Sequence, residues 1–142
     1  MFTFVLEMNN TRFATAIHIM TLLADHPEDW LGSDYIAGSI NINPVMVRKE
    51  IGVLTQAGLV TSRRGKEGGT QLSRPSDKIT LDEIFEAVKN SEILGKKNQN
   101  PNPKCPIGRQ INHQLDVLSQ ETENLVTSFL KNKTLAEFSH QF

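Results

Sequence analysis

The chain has 142 residues and a formal net charge of −1, and 38% of its residues are apolar and 22% charged. These values are typical of a globular protein with one core of ordinary size, and they exclude intrinsically disordered and fibrous chains. No apolar run approaches the roughly 20 residues of a transmembrane helix, the opening segment lacks the basic start of a secretion signal, and the single cysteine, Cys105, excludes an intramolecular disulfide. We therefore expect a cytoplasmic protein without a membrane span.

The first two helices are predicted by apolar periodicity and by a cap. Residues 1–7 join no later pattern, and we interpret them as an N-terminal extension. From Arg12, apolar residues recur at intervals of three and four, which predicts a helix that ends near Asp25. Ser33 follows Gly32 and is expected to be the N-cap of a short second helix.

The third helix has the clearest start signal. Asn43 can cap the free amides of a helix, and Pro44 fits the first helical position, where no amide hydrogen bond is lost. A helix is therefore predicted over residues 44–56, with Gly58 at the position that favours glycine after a helix. Only a few residues separate the second and third helices, which is typical of a helix-turn-helix unit.

A basic hairpin is predicted next. Strands at residues 59–62 and 70–73 bracket the glycine-rich loop at residues 63–69. Residues 44–74 contain six Lys or Arg and two Glu, so this segment carries a net charge of +4. Taken alone, the loop and the charge fit ordinary solvated surface as well as a face for a polyanion. Because they follow a helix-turn-helix unit, we interpret the hairpin as the wing of a winged-helix domain.

The C-terminal half contains a helix, a loop and a long helix. Residues 80–83 form a capping box that begins a fourth helix, and residues 95–104 have no apolar side chain and predict an exposed loop. Cys105 is followed by proline at the start of a long helix predicted over residues 106–131. Another capping box, at residues 134–137, predicts a short terminal helix.

The long helix carries an apolar stripe that resembles the a/d seam of a coiled coil. A domain of about 70 residues has limited surface to cover such a helix, so we predict a homodimer. The predicted dimerisation residues are Ile111, Leu115, Leu118, Leu125 and Phe129.

The elements together predict a mainly α fold class. A winged helix-turn-helix DNA-binding domain with a two-stranded wing is expected at residues 8–76. Residues 77–142 are expected to form a dimerisation and effector region, which contains the long C-terminal dimerisation helix.

Three short motifs carry a family resemblance: AGLV at residues 57–60, RGxxGG at residues 64–69 and ITL at residues 79–81. In this order and spacing they resemble the Rrf2 family of bacterial winged-helix transcriptional regulators, and the similarity covers nearly all of residues 8–140. The NPNPKCP run before the long helix is most similar to the YwnA-like branch. The resemblance implies a dimer that binds a pseudo-palindromic operator and usually acts as a repressor.

The chain departs from the cluster-binding members of that family. Those relatives carry three cysteines where this chain keeps only Cys105, and the relative that ligates through histidine has it where this chain has Gly108. One thiolate cannot hold an iron-sulfur cluster, which needs several protein ligands. We therefore expect no cofactor and no metal site.

The expected DNA contacts follow from the winged-helix interpretation, in which the third helix enters the major groove. Arg48 is the best candidate for base readout, because a guanidinium can bind guanine through two hydrogen bonds, and the resemblance places it at a base-contacting position. Arg64, next to Gly65, is expected in the narrow minor groove, with glycines 65, 68 and 69 allowing close approach to phosphates. Four further residues are expected to meet phosphate and sugar: Ser33, Tyr35, Arg63 and Lys66. The rest of the exposed reach of the third helix is supplied by Asn43, Val45, Met46 and Lys49.

The sequence thus predicts a sequence-specific transcriptional regulator, a repressor that binds double-stranded DNA as a homodimer. One alternative is an interaction module regulated by a protein partner, in which DNA binding is secondary. Another is a redox sensor that acts through the thiol of Cys105, beside Lys104 at a helix N-terminus. An enzyme is not expected, because no nucleophile, base and orienting group stand together and the glycine-rich loop lacks the GK[ST] ending of a phosphate-binding loop.

Overall fold

The computed structural model describes residues 11–89 and 93–142, so the predicted extension at residues 1–7 lies outside the described residues. Three helices form the N-terminal unit: α1 (Arg12–Asp25), α2 (Ser33–Ile40) and α3 (Pro44–Gln56). Asn41, with φ 65°, turns the chain between α2 and α3. Asparagine tolerates this left-handed conformation better than most residues, so the turn of the helix-turn-helix has a local cause.

The start of α2 differs from the prediction, because the N-cap is Gly32 and not Ser33. Leu31 and Thr70 exchange two backbone hydrogen bonds, of 3.1 and 2.9 Å, which hold the chain extended just before the helix. The Gly32 carbonyl then accepts the first helical bond, from the Ile36 N–H at 3.1 Å. Ser33 is therefore the first helical residue, and its hydroxyl is available to a neighbouring helix.

Both ends of α3 have the predicted caps. At the start, the Asn43 Oδ1 accepts the Val45 N–H at 2.9 Å. At the end, Gly58 has φ 76° and the Leu59 N–H donates to the Leu54 carbonyl at 3.0 Å, the pattern of a Schellman motif. Leu54 and Leu59 are both buried, so the motif fastens the end of α3 to the core.

The wing is a two-stranded antiparallel hairpin, β1 (Val60–Arg63) and β2 (Gly69–Leu72). Each strand lies one residue from its predicted position, because Leu59 belongs to the helix end described above and Arg63 pairs with Gly69. Leu31 adds an isolated bridge to Thr70 of β2, so the hairpin is tied to the segment between α1 and α2.

The C-terminal half begins with a 3₁₀ turn (Ser76–Lys78), followed by α4 (Leu81–Val88), α5 (Pro106–Lys131) and α6 (Leu135–Ser139). Capping boxes start α4 and α6 as predicted, and in α6 the Glu137 N–H donates to the Thr134 Oγ1 at 3.1 Å. In the two described ranges, no helix combines the length and the hydropathy that a bilayer crossing requires.

One core joins both halves of the chain. Ile19 of α1, Ile36 of α2, Leu54 of α3 and Ile84 of α4 are all fully buried, and Leu135 of α6 completes this core. The predicted division at residue 76 therefore stays a prediction about function, since core residues lie on both sides of it. The fold class is confirmed: the chain is mainly helical, with a winged helix-turn-helix and a long C-terminal helix.

Candidate nucleic-acid interface

The predicted contact residues of α3 lie on one exposed face of the helix. Val47, Ile51 and Leu54 point into the core, which leaves the other side of α3 to solvent. Val45 is 59% exposed, Met46 is half-buried, and the remaining predicted residues, Asn43, Arg48 and Lys49, are exposed. The structure therefore brings together all the α3 residues that the sequence singled out.

Ser33 and Tyr35 of α2 lie beside this face. The Arg48 Nη1 donates a hydrogen bond of 3.2 Å to the Ser33 Oγ, which joins the start of α2 to the middle of the exposed side of α3. Tyr35 is 54% exposed, and its ring forms a T-shaped pair with the His26 ring, with the ring centres 6.1 Å apart. Arg48 keeps further N–H donors for a base or a phosphate, because a guanidinium has more donors than this one bond uses.

The wing tip presents Arg64, Gly65 and Lys66 to solvent. The loop is closed by the Gly68 N–H, which donates to the Gly65 carbonyl at 3.0 Å, and Gly65 adopts φ 102°. The tip is therefore a tight turn with two exposed cations.

Arg63 was predicted to be a phosphate contact, but its guanidinium makes two contacts inside the wing. Its Nη2 donates to the Glu67 carbonyl at 2.6 Å, and its Cζ lies 4.5 Å from the centre of the Trp30 ring. Trp30 is the only tryptophan of the chain. Its role was not predicted, and a lone large aromatic residue in a polar loop is the one signal in the sequence that points to it. Arg63 thus braces the base of the tip, while its predicted contact with DNA stays a prediction.

At two positions of the wing, glycine is needed for a reason other than the predicted close approach to phosphates. A Cβ on Gly68 would lie 2.1 Å from the Arg63 carbonyl oxygen, and one on Gly69 would lie 2.7 Å from the Leu31 carbonyl oxygen. These glycines are therefore needed for backbone packing within the protein. Gly65 has no such neighbour within 4 Å, so close approach of a phosphate is still open to it.

A half-buried ion pair behind α3 was not predicted from the sequence either. The Arg12 Nε and Nη2 donate to the two carboxylate oxygens of Glu50, each at 3.0 Å. The hydrogen bond to Glu50 raises the pKa of Arg12 above its ordinary value, although partial burial of the guanidinium opposes the shift. The two residues are 38 positions apart, so no local pattern could indicate the pair.

The predicted dimerisation residues share one face of α5 by their spacing, but they differ in exposure. Leu118, Leu125 and Phe129 are 52, 73 and 62% exposed, and Ile107, which the sequence analysis omitted, is 72% exposed. Ile111 is half-buried beside them. Leu115 is half-buried and lines a groove between α5 and the loop at residues 94–97, so it takes part in packing within the chain.

Cys105 is exposed and is the N-cap of α5, where its Sγ accepts the Gly108 N–H at 3.4 Å. Gly108 packs closely against the preceding loop, because a Cβ there would lie 2.5 Å from the Asn102 carbonyl oxygen. The thiol therefore stands at the junction between the exposed loop and the long helix.

Comparisons with known proteins agree with this geometry. Residues 9–141 match the Rrf2 family, described as iron-dependent transcriptional regulators. YwnA of Bacillus subtilis, a proposed helix-turn-helix transcriptional regulator, is 38% identical over 136 residues, which cover 95% of this chain and 100% of that protein. The crystal structure of a proposed DNA-binding protein is 34% identical with a TM-score of 0.70, covering 89% of this chain and 97% of that one. The crystal structure of a proposed transcriptional regulator from Lactobacillus plantarum is 23% identical with a TM-score of 0.75, covering 92% of this chain and 89% of that one.

The residues of this chain do not fit the iron site that the family description implies. Within residues 11–89 and 93–142, no three His, Cys, Asp or Glu side chains form a group that could hold a metal ion. Cys105 is the one cysteine of the sequence, whereas iron-sulfur clusters are held mainly by several cysteine thiolates.

Proposed function

Because the chain belongs to the Rrf2 family of transcriptional regulators, we propose that it acts as a homodimeric, sequence-specific repressor on a pseudo-palindromic operator. It is a DNA-binding regulator of transcription and not an enzyme. We place its action in the cytoplasm, where bacterial DNA lies. We also propose that it holds no iron-sulfur cluster, because Cys105 is its one cysteine.

The observation that carries the proposal is the shared exposed face formed by α3 and the start of α2. Arg48 and Lys49 are exposed on the same side of α3, and Ser33 holds Arg48 from the neighbouring helix. Inserted in a major groove, this face would place Arg48 against a guanine edge, which carries two acceptors for a guanidinium. Asn43, Tyr35 and Lys49 would then meet the flanking sugar and phosphate groups or bases.

The wing adds the second contact. Arg64 and Lys66 are exposed at the tip, and the internal contacts of Arg63 stiffen the strands that carry them. A narrow minor groove has an enhanced negative potential that favours an inserted arginine, so we assign this role to Arg64. Lys66 would add a sequence-independent contact with phosphate, whose strength falls with salt.

The dimer is supported by the unpartnered apolar face of α5. No residue of this 26-residue helix is fully buried, and Leu125 and Phe129 are more than half exposed. A second copy packed on this face would cover these side chains and give a two-fold axis. Two symmetric copies read two half-sites about one helical turn apart, which is why a pseudo-palindrome is the expected operator.

A second candidate function is regulation through the thiol of Cys105, favoured by its exposed position at the start of α5. Oxidation by hydrogen peroxide would convert the thiol to a sulfenic acid and release water, which changes the group that accepts the Gly108 N–H. The test compares DNA binding before and after mild peroxide in wild type and in Cys105→Ser. A loss confined to wild type supports the sensor role, and equal responses exclude it.

The main proposal is tested by selection. The purified protein is incubated with a pool of random duplexes at near-physiological salt, and the retained duplexes are sequenced, with Arg64→Ala as the control variant. A two-fold symmetric motif that Arg64→Ala enriches much less supports the proposal. Absence of any enriched motif with wild type contradicts it and favours the alternative of a module regulated by a protein partner.

A further inference from the structure

The ion pair between Arg12 and Glu50 lies directly behind the exposed face of α3. Glu50 is 4% exposed, and within the described part of the chain it is the only charged residue that is buried. It sits between Lys49, which is exposed, and Ile51, which is in the core. Arg12 is the first residue of α1 and reaches Glu50 with two parallel hydrogen bonds of 3.0 Å.

Stability alone does not account for this pair. Removing a carboxylate from water carries a large desolvation cost, and apolar residues of similar volume in its place often leave a protein equally stable or more stable. A bond between a planar guanidinium and a planar carboxylate fixes both distance and orientation, which apolar contacts between the same helices would leave looser. We therefore expect the pair to contribute more to the relative orientation of the two helices than to the free energy of folding.

The element whose geometry it fixes is α3. Helix α1 packs against α2, α4 and α6 as well as α3, and in its first turn the Phe13 ring packs edge-on with Phe85 of α4, with the ring centres 6.1 Å apart. The Glu50 carboxylate, held by Arg12, ties one side of α3 to α1 and so opposes rotation of α3 about its own axis. A rotation of about 10° would move side-chain atoms at the helix surface by about 1 Å. That displacement is larger than the range of good hydrogen-bond lengths, so it would spoil a bidentate contact to a base.

We propose that Arg12 and Glu50 are positioning residues for the recognition helix, and that their bidentate bond determines how well the protein discriminates its operator from other DNA. The inference rests on the proposed function and deepens it. Arg12 and Glu50 act through Arg48 and Lys49, which are the side chains expected to touch DNA.

The test uses two variants that avoid leaving an unpaired buried charge. Arg12→Lys keeps the positive charge but loses the planar two-pronged bond. The double variant Arg12→Met/Glu50→Leu replaces the pair by apolar side chains of similar size. The control is Lys97→Met/Asp116→Leu, which removes a partly exposed ion pair between α5 and the loop before it. For each protein, Kd is measured on the duplex that wild type selects and on a scrambled duplex, and folding is checked by thermal unfolding.

The discrimination ratio is Kd on the scrambled duplex divided by Kd on the selected duplex. We expect it to be about tenfold lower in both Arg12 variants than in wild type, comparable to the effect of one mismatched base pair. In the Arg12 variants, Kd on the scrambled duplex should stay at the wild-type value. The control variant should keep the wild-type discrimination ratio. An unchanged ratio in either folded Arg12 variant would overturn the inference, as would an equal fall in the control. If wild type itself shows no discrimination, the proposed function fails and the inference fails with it. If the double variant does not fold, the discrimination ratio of Arg12→Lys alone decides whether the inference stands.

Discussion

The guanidinium of Arg48 is held by the hydroxyl of Ser33, through a hydrogen bond of 3.2 Å that crosses from α3 to α2. This bond joins two residues that the sequence selected for different reasons, one for base readout and the other for contact with phosphate and sugar. It orients Arg48 before DNA arrives, so less side-chain freedom has to be lost on binding.

Arg48→Ala is predicted to weaken binding to the selected operator by about 1–3 kcal/mol and to relax the preference for one base pair in each half-site. Lys49→Ala, the neighbouring exposed cation, is the matched comparison. It should weaken binding to operator and scrambled duplex alike and reduce the salt dependence by about one unit of slope. Equal losses on both duplexes for Arg48→Ala would identify Arg48 as a phosphate contact and contradict the prediction.

Gly69→Ala is predicted to lower the free energy of unfolding by at least about 2 kcal/mol, because Gly69 has φ 152° and its Cβ position is 2.7 Å from the Leu31 carbonyl oxygen. Gly52→Ala is the control, since Gly52 lies within α3 and a Cβ there would meet no atom within 4 Å apart from the adjoining backbone of its own helix. That change should raise the free energy of unfolding by about 0.5–1 kcal/mol. Chemical denaturation measures both, and equal stability of Gly69→Ala and wild type would show that the wing is not built as described.

Glu83 gives the fold a pH dependence. Burial alone would raise its pKa, but the Thr80 N–H, at 3.0 Å, and the Arg74 guanidinium outweigh burial, so the pKa lies below the ordinary value of 4.5. The ionised form is thus favoured in the folded state, and its contribution to stability is present above pH 4.5 and lost as the pH falls through the lowered pKa.

The free energy of unfolding, measured between about pH 7 and pH 3, should therefore fall less in Glu83→Gln than in wild type. Asp77→Asn, which changes an exposed acid in the neighbouring 3₁₀ turn, should keep the wild-type pH profile. Parallel profiles for Glu83→Gln and wild type would show that this carboxylate does not contribute.

The proposed dimer interface on the exposed apolar face of α5 is tested by Leu125→Arg. Leu125 is 73% exposed in the single chain, so the charge should leave α5 folded while it is repelled from an apolar interface. Sedimentation should show the dimer dissociation constant raised at least about tenfold. Gln120→Arg, about 140° away around the same helix, should sediment as wild type. A dimer unaffected by Leu125→Arg would place the interface elsewhere.

Local signals in the sequence predict much of the fold. The ends of α3 and the start of α5 follow from Asn43, Gly58 and the proline after Cys105, because capping depends on residues only a few positions apart. Ser33 shows the limit of such signals. Its predicted role as N-cap is wrong because the pairing of Leu31 with Thr70, a tertiary contact, fixes where α2 begins.

The candidate site was predicted less completely than the fold. The exposed residues of α3 could be found because helical periodicity separates them from Val47, Ile51 and Leu54. The stack of Arg63 on Trp30 and the ion pair of Arg12 with Glu50 could not, since each depends on how distant elements pack. The placement of Leu115 in a groove with the loop at residues 94–97 has the same cause.

The central claim is that two copies of the chain, related by a two-fold axis, read two half-sites on one face of DNA. Its most direct test is to insert about 5 bp, half a helical turn, between the half-sites of the selected operator, and to measure Kd at fixed salt. The account predicts that binding weakens at least about tenfold, because the two α3 helices can no longer enter both major grooves. Undiminished affinity for the lengthened operator would contradict it.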